Sequence, residues 1–436
     1  METILISIPI IILTIYLIYW FVNINGEATT ISGVLASVCM YMCIIPLIIA
    51  LSNDTNMLET SFRHLRKDWE AYIMGYFNVL LFVIFLALSY EFGRKKRNNY
   101  VISQRKFAKW LRILSIITFI VGGGSFVIYA VSFGGFSKLF EYAEIMRSFS
   151  TDKSTLFSSR IFILVVPSRL ITVTPFLLLI YRQFAKNKKL NLIFIISSTI
   201  LASLFYLSDA GKTGILVFLL CVFVTLISHN FKHKWLVTIC IAAFSLEIVN
   251  YLDALFVYLN TNELNVKVGK GALSYLEQFS FPSRNLLNLD GIASFKGYRY
   301  GSDYITGPLN IIPGFNFDPS YVITSEYHSG TSWHIKGGTP NDAITFGYIQ
   351  GGFLGVIFEA IILGLICSYI DSCTRSLKDT FSNKLLKYSL VILYFMMFID
   401  ADTTSIIRGQ FSLIILSSLV YLSSKRSNHR RLNKTF

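Results

Sequence analysis

Six basic side chains of this chain have the chemistry to bind an anionic group such as a phosphate. A guanidinium presents paired N–H donors that match two phosphate oxygens, and a lysine ammonium adds a compact charge. We predict that all six face the same side of a membrane and bind the phosphate or sugar groups of one ligand. They are Arg160, Arg169, Lys212, Arg284, Arg299 and Arg408.

The neighbours of three of these residues favour binding. Lys212 opens an apolar segment after a tight turn, so its ammonium and the free N–H groups of a helix N-terminus would face the same way. A bare turn explains this stretch equally well, and the GxxxxGK[ST] pattern of a nucleotide-binding loop is absent. Arg284 and Arg299 have the aromatic and amide neighbours that stack on and hydrogen-bond sugars. A solvated surface position is the alternative for both.

Two residues ahead of a late apolar segment are candidates for a general base. His334 and Asp342 precede the segment that begins at Ala343, and either could accept a proton from a hydroxyl near a membrane-embedded headgroup. The alternative is structural, since Asp342 or Asn341 is well placed to cap the helix that follows. Asn341 is also a candidate substrate-binding residue.

Arg169 lies about nine residues into an apolar segment that begins at Ile161, about 13 Å along a helix. A charge at that depth costs at least ~2.5–3.5 kcal/mol, so it normally faces a polar cavity or a partner. Glu247 and Glu359, inside other apolar segments, are candidate counter-ions. If the helix instead starts at Pro167, Arg169 lies near the surface.

The composition predicts an integral membrane protein. Hydrophobic residues make up 53% of the 436 residues and charged residues 15%, with a mean hydropathy of +0.57, which is unlike a soluble domain. A helix needs about 20 apolar residues to cross a bilayer, and about 11 segments (10–12) qualify. We therefore predict an all-α polytopic fold, with residues 1–436 in one membrane domain. The segments are Ile4–Val22, Ile31–Leu51, Ala71–Phe92, Leu111–Val131, Ile161–Tyr181, Leu190–Leu207, Thr213–Ser228, Trp235–Val257, Ala343–Ile370, Tyr388–Ile399 and Phe411–Leu422.

Basic residues in the short loops predict the orientation of these segments. Loops rich in Lys and Arg stay in the cytoplasm, and the loop 94–112 is strongly basic. Alternation from there puts every basic cluster on one side, with the N-terminus outside and the C-terminus in the cytoplasm. Residues 258–344 then form one large external loop, whose aromatic content argues against disorder. The net charge of +14 reflects this pattern and attraction to anionic membrane lipid, and we predict no nucleic-acid binding.

The sequence predicts neither a metal site nor a disulfide. The six cysteines fall inside apolar segments or on the predicted cytoplasmic side, at spacings that match no metal or disulfide framework. The first segment lacks a basic flank and a small-residue cleavage site, so we interpret it as a retained span. No internal repeat relates the two halves, unlike many transporters.

Several stretches of the sequence carry the motifs on which a family resemblance rests. Tyr300-Gly301 and Leu309-Asn310-Ile311-Ile312-Pro313 lie in the external loop, and Gly337-Gly338-Thr339-Pro340-Asn341 leads to Gly347-Tyr348-Ile349-Gln350-Gly351-Gly352-Phe353-Leu354-Gly355-Val356 at the entry to a span. Asp209-Ala210-Gly211-Lys212 and Arg408-Gly409 precede two other spans. In these stretches the chain resembles the bacterial oligosaccharide repeat-unit polymerases, the Wzy-type O-antigen or capsule polymerases. The architecture matches over nearly the whole chain and the motifs match locally. The related O-antigen ligases have His-Asn where this chain has Pro340-Asn341, which favours a polymerase.

The resemblance implies a glycosyltransferase of the bacterial plasma (inner) membrane that needs no cofactor. It would transfer a growing glycan from undecaprenyl pyrophosphate to a hydroxyl of the next lipid-linked repeat unit on the outer face. The six basic residues and Asn341 would bind pyrophosphate or glycan, with Asp342 or His334 as base. A chain-length regulator and a flippase are implied partners. The alternatives are a lipid-linked oligosaccharide flippase or polysaccharide exporter, and a glycosyltransferase that uses acids of the first external loop.

Overall fold

The computed structural model describes residues 2–51, 69–97, 100–141, 164–208, 212–230, 280–310, 312, 315, 317–329 and 339–426. The described helices before residue 231 are α1 (Glu2–Asn25), α2 (Thr30–Val38), α3 (Ile45–Leu51), α4 (Trp69–Arg97), α5 (Gln104–Ile117), α6 (Gly124–Ser132), α7 (Phe136–Glu141), α8 (Val165–Ser168), α9 (Thr174–Tyr181), α10 (Lys188–Ser208) and α11 (Lys212–Asn230). Those after residue 279 are α12 (Phe281–Leu286), α13 (Leu289–Lys296), α14 (Asp303–Leu309), α15 (Ser320–Ser329), α16 (Ala343–Thr374), α17 (Phe381–Ile399), α18 (Thr403–Gly409) and α19 (Phe411–Ser423). Two short strands, β1 (Tyr100–Ile102) and β2 (Ser424–Arg426), pair in antiparallel fashion.

Seven helices of the described part are long and apolar enough to cross a membrane. Two of them, α2–α3 and α5–α6, run through a π-helical turn at Cys39–Ile44 and Thr118–Gly123. The pair α18–α19 is bent by 87° and makes an eighth span if it counts as one. The prediction of an all-α polytopic membrane protein is confirmed. The orientation and the number of about 11 spans stay predictions, and the predicted span Trp235–Val257 lies outside the described residues.

Helices α4 and α16 make the most extensive helix contact of the described part. A Cβ at Gly93 would lie 2.6 Å from Ser368 Oγ, and a Cβ at Gly364 would lie 2.0 Å from Ser89 Oγ. Small residues four positions apart on both helices therefore let the two backbones approach closely. Such contacts associate helices in lipid, where apolar burial alone gives no driving force. The order of the contacts shows that the two helices run in the same direction.

One end of the bundle is held together by contacts that involve charged side chains. The Asp371 carboxylate accepts hydrogen bonds from the Thr30 N–H at 2.9 Å and the Tyr90 hydroxyl at 3.0 Å, which fixes the start of α2 against α4 and α16. Lys387 Nζ lies 2.5 Å from Glu27 Oε1. Strand β1 also lies at this end, where α4 and α16 finish. We call this end of the bundle the basic end.

The opposite end, which we call the loop end, carries the short helices α12–α15 and α18. The carbonyl oxygen of Leu286 would lie 2.9 Å from a Cβ at Gly75, near the start of α4. The many Gly, Pro, Asn and Tyr residues after Pro282 predict turns and short irregular structure. The described residues do form a turn at 297–301, with positive φ at Gly297, Tyr300 and Gly301, but short helices lie on both sides of it. Buried apolar residues such as Leu289 and Ile292 pack these helices against the rest of the protein, and such packing stabilises helices too short to form alone.

Helix α16 is broken near its start, where the sequence predicts an uninterrupted span. Gly352 adopts φ +61° and ψ −144°, and Gly351 is also non-helical. A Cβ at Gly347 would lie 2.9 Å from the carbonyl oxygen of Gly355, although residues eight apart in a straight helix are about 12 Å apart. The chain therefore folds back on itself at the two glycines.

This break divides α16 into α16a (residues 343–350) and α16b (residues 353–374). α16b is still about 33 Å long, enough to cross a bilayer. Every residue from 341 to 350 is buried. α16a is therefore a short, fully buried helix near the loop end.

The predicted span Ile161–Tyr181 is irregular where the structure describes it. α8 leads into a 3-10 turn at Arg169–Thr172, and α9 follows with Pro175 in its first turn. A Cβ at Gly122 would lie 2.4 Å from the Ile171 main-chain nitrogen, so the two backbones are in direct contact. Arg169 lies at this break in the helix. Residues 161–163 lie outside the described part of the chain, so the start of this span and the depth of Arg169 in the membrane stay predictions.

Candidate functional site

The candidate site is built around α18 at the loop end. Asp402 caps the N-terminus of α18, since its Oδ1 accepts hydrogen bonds from the N–H groups of Thr404 at 2.8 Å and Ser405 at 3.4 Å. Its Oδ2 accepts from the Ser320 hydroxyl and from the Tyr321 N–H at 3.3 Å. Asp402 is fully buried. One carboxylate therefore holds the starts of both α18 and α15.

Two arginines that the sequence predicts to bind an anion meet at the C-terminal end of α18. Arg169 donates to the main-chain carbonyl oxygen of Arg408, in the last turn of a helix, where carbonyls lack helical partners. Arg408 Nη2 donates to the carbonyl oxygen of Asn310 at 2.5 Å. Positive charge is favourable at a helix C-terminus, so the two guanidiniums are held in place without a ligand.

The hydroxyl of Tyr321 lies among four charged groups. Burial raises the pKa of Tyr321, the charge of Arg408 lowers it, those of Asp402 and Asp400 raise it, and that of Arg169 lowers it. Asp402 also accepts a hydrogen bond from the Tyr321 N–H, Asp400 is two residues before Asp402 in the chain, and Arg169 contacts Arg408, so these groups belong to one region of the loop end. We call these five residues the Tyr321 cluster.

Asp400 is the acid of this cluster that is best suited to proton transfer. Burial raises the pKa of its carboxyl to about 7, a hydrogen bond from Ser405 lowers it, and the neighbouring charge of Asp402 raises it. Asp400 is partly exposed, whereas Asp402 uses both oxygens to hold helices. A carboxylate with a pKa near neutral pH can take up and release protons under working conditions.

Asp342, a predicted catalytic residue, is the N-cap of α16. Its Oδ1 accepts from the N–H groups of Ile344 and Thr345, both at 3.0 Å, and its Oδ2 accepts from the Thr345 hydroxyl at 2.6 Å. It is fully buried, and burial raises its pKa to about 6 while these hydrogen bonds lower it. The structure thus shows the capping alternative, and a role of Asp342 as base stays a prediction.

Asn341, a predicted substrate-binding residue, adjoins the Tyr321 cluster. The main-chain carbonyl oxygen of Asn341 accepts a hydrogen bond from the N–H of Ala401 at 2.7 Å. Ala401 lies between the two aspartates of the cluster in the sequence. The side-chain amide of Asn341 is fully buried, and neither the oxygen nor the nitrogen has a hydrogen-bond partner in the described structure. Leaving a buried polar group unpaired costs about 1–3 kcal/mol, so this amide requires a partner beyond the described residues.

Arg284 lies near the chain segment that precedes Asn341. Its Nη2 donates to the His328 carbonyl oxygen at 3.2 Å, and the amide of Asn285 donates to the Pro340 carbonyl oxygen at 3.0 Å. His328 Nε2 lies 2.9 Å from Asn285 Oδ1. Burial lowers the pKa of Arg284, and burial together with the Arg284 charge lowers the pKa of His328 to about 3. The imidazole is therefore neutral at physiological pH.

Arg299 differs from Arg284 and Arg408 because a carboxylate neutralises it within the described part of the chain. Its Nε and Nη2 lie 3.0 and 2.5 Å from Asp303 Oδ1, and Asp303 Oδ2 accepts from Gln350 at 2.7 Å. In the described part of the chain, neither Arg284 nor Arg408 forms an ion pair. The contacts of Arg299 connect α14 to the end of α16a, and a role in substrate binding stays a prediction.

The structure describes only some of the remaining predicted site residues. Arg160 and His334 lie outside the described residues. Lys212 is the first residue of α11, as expected for a helix N-terminus, and its side chain is not described. Glu359, a candidate counter-ion of Arg169, accepts a hydrogen bond from the Tyr304 hydroxyl at 2.5 Å. Within the described residues, no group of three or more His, Cys, Asp or Glu side chains could hold a metal.

Sequence reasoning missed Tyr321, Asp400 and Asp402 as site residues. A cap signal was present at Asp402, because an aspartate followed by Thr403-Thr404 before an apolar stretch is typical of a helix start. Tyr321 has no such local signal, since its place depends on how α15 packs against α18.

The described site thus combines guanidiniums, a carboxyl that titrates near neutral pH and a buried unpaired amide. This set of groups can bind an anion, hydrogen-bond a polar ligand and accept a proton. No family model, curated protein or solved structure matches this chain. The resemblance to repeat-unit polymerases therefore stays a prediction based on the quoted motifs.

Proposed function

We propose that this chain is a glycosyltransferase that polymerises undecaprenyl-pyrophosphate-linked repeat units into O-antigen or capsule polysaccharide, on the outer face of a bacterial plasma membrane. The observation that supports this most directly is that Arg284 and Arg408, two cations of the loop end, form no ion pair within the described residues. A pyrophosphate needs cations whose charge is not already neutralised. Arg169, at the main chain of Arg408, adds a further guanidinium.

In the proposed reaction, a hydroxyl oxygen of the acceptor repeat unit forms a bond to the anomeric carbon of the donor glycan. The bond from that carbon to the pyrophosphate breaks, and negative charge builds up on the leaving pyrophosphate. Donors fixed in advance around this charge stabilise the transition state, and one such donor is worth about 2.7–4 kcal/mol. Arg408 and Arg169 are fixed in this way by carbonyl groups of the protein.

The acceptor hydroxyl must lose its proton as it attacks. We assign this step to Asp400, because its pKa of about 7 suits a general base at neutral pH. The unpaired amide of Asn341 would hydrogen-bond a sugar or phosphate oxygen. Tyr298 and Tyr300, which are 40% and 84% exposed with ring centroids 6.2 Å apart, offer surfaces on which sugars can stack.

The test is a reaction of the purified full-length protein in liposomes with undecaprenyl-pyrophosphate-linked repeat unit. We expect a ladder of glycan lengths on a gel and release of undecaprenyl pyrophosphate in proportion to the linkages formed. An exporter or flippase would instead move the labelled lipid across the bilayer without extending the glycan. Folded protein that yields only single repeat units, with a range of lipid-linked units tested, would contradict the proposal.

A further inference from the structure

A groove of about 530 Å³ opens on the surface of the protein near the basic end, away from the Tyr321 cluster. One wall is α5, and the other is formed by the end of α9 and the residues after it. The groove is open to the outside of the protein, so a molecule could enter it from the surroundings. Its principal lining residues are Lys109, Arg112, Ile113, Ile116, Tyr181 and Phe184.

The lining residues of α5 form a single stripe. Lys109, Arg112, Ile113 and Ile116 occupy positions i, i+3, i+4 and i+7, which lie on one face of a helix. α5 starts next to β1 at the basic end and runs into the bundle, so the two cations lie nearer that end and the isoleucines lie deeper. The stripe therefore has the polarity of an amphiphile, with charge at the outside and apolar surface inside.

The occupant must match both halves of this groove. Lys109 and Arg112 are exposed, and Ile116 is 48% exposed, so both the cations and the apolar surface are open to a ligand. None of the described residues that line the groove is acidic, which favours a negatively charged headgroup. A small anion would use only the cations, and an apolar helix would use only the deeper half.

We propose that this groove is a binding site for one anionic phospholipid. The phosphate lies between Lys109 and Arg112, and an acyl chain lies along Ile113 and Ile116. The aromatic side chain of Tyr181 lies at the level where the headgroup meets the acyl chain, a position that tyrosine favours in membranes. Basic pockets between membrane helices are suited to acidic headgroups because each cation adds attraction that a zwitterionic lipid does not gain.

Native mass spectrometry of the full-length protein in mild detergent tests this site, with phosphatidylglycerol and phosphatidylcholine of identical acyl chains as probes. We expect one phosphatidylglycerol to bind at least tenfold more tightly than phosphatidylcholine. The variant Lys109→Gln/Arg112→Gln should weaken phosphatidylglycerol binding by about 10- to 30-fold and leave phosphatidylcholine binding unchanged.

The matched control is Arg105→Gln/Lys106→Gln. It removes the same charge from the same helix at two exposed positions outside the groove lining, and should change binding by less than about twofold. A second variant, Ile113→Trp, fills the deeper half of the groove while both cations remain. It should weaken the binding of both lipids.

Three results would overturn the proposal. Equal weakening in the two double variants would mean diffuse attraction to a basic surface. Absence of any preference for phosphatidylglycerol in the unmodified protein would mean that the cations do not select the ligand. Tight binding of phosphatidylglycerol to a folded Ile113→Trp variant would mean that no acyl chain occupies the groove. The outcome is independent of glycan polymerisation, because it is read from lipid binding alone.

Discussion

Replacing Arg408 by alanine removes a proposed anion-binding side chain while keeping the architecture around it. Arg169 donates to the main-chain oxygen of residue 408, which alanine retains, and Asp402 caps α18 at its other end. The variant loses the hydrogen bond to Asn310 and the positive charge next to Tyr321. A hydrogen bond from a charged group contributes about 1.5–3 kcal/mol, and the lower value applies because Arg408 is partly exposed. We therefore expect only a small decrease in Tm.

The effect on catalysis should be much larger. If Arg408 stabilises the leaving pyrophosphate, its removal should lower kcat by about 10²–10³-fold, with a smaller change in KM because the charge develops in the transition state. The assay is the initial rate of polymer formation in liposomes at saturating lipid-linked repeat unit. Arg408→Lys keeps the charge but loses the paired donors, so its rate should be intermediate.

The matched control is Arg94→Ala, which removes an arginine at the basic end that is paired with Glu91 at 2.8 Å. This variant should keep the rate of the unmodified protein, since Arg94 lies at the opposite end of the bundle from the Tyr321 cluster. A folded Arg408→Ala protein with a rate within about twofold of the unmodified protein would refute the assigned role. An equal loss of rate in the Arg94→Ala variant would also refute it, because the effect would then not be specific to the site.

Three further predictions follow from the same geometry. If Asp400 acts as base in its ionised form, the rate should rise with pH through an apparent pKa of about 7. Asp400→Asn should abolish this rise and lower kcat by about 10²–10⁴-fold. A pH–rate profile of each protein measures both effects. Asp402→Ala should destabilise the protein by about 2–3 kcal/mol, through loss of a helix cap and of buried hydrogen bonds, and thermal unfolding should show Asp402→Asn to be milder. Gly347→Val should destabilise the protein by about 1–3 kcal/mol, because a side chain would collide with Gly355. Gly124→Ala, with open space around its Cβ, should leave Tm nearly unchanged, and equal Tm values for the two glycine variants would contradict the folded-back arrangement of α16.

The straight membrane helices could be predicted from the sequence with small errors at their ends. The predicted span Ala71–Phe92 is α4, Trp69–Arg97, and Leu190–Leu207 is α10, Lys188–Ser208. A long apolar segment must satisfy its backbone polar groups internally in lipid, so hydropathy alone determines that it is a helix. Its charged ends add turns beyond the apolar part, which hydropathy does not detect.

The break in α16 could not be predicted in this way, because the residues on both sides of Gly351-Gly352 belong to one apolar segment of the sequence. Hydropathy measures composition and contains no information on chain direction. The two adjacent glycines are the local signal, since ψ −144° with a positive φ at Gly352 is a conformation that other residues rarely adopt. What the reversal packs against depends on long-range contacts that one sequence does not reveal.

Part of the candidate site was predictable from residue type and topology. Arg169 and Arg408 come from segments that the charge pattern places on one side, and the structure brings them into contact. The neutralisation of Arg299 by Asp303 was missed although the two are four residues apart, because this stretch was interpreted as irregular. Arg299 precedes α14, and the turn between Arg299 and Asp303 has a positive φ at Tyr300 and at Gly301, so the i, i+4 rule for helices does not predict this pair.

Two kinds of arginine occur side by side at the loop end, and the difference between them bears on function. Arg299 is bonded to a carboxylate, so an anionic ligand would have to displace Asp303 before it gained the full attraction of the guanidinium. Arg408 is bonded to a neutral carbonyl, which orients the group and leaves its charge in place. A guanidinium has five N–H donors, and this hydrogen bond uses one of them. Orientation by carbonyls is therefore the arrangement expected where a protein must hold a cation ready for an anion that arrives and leaves in each reaction cycle.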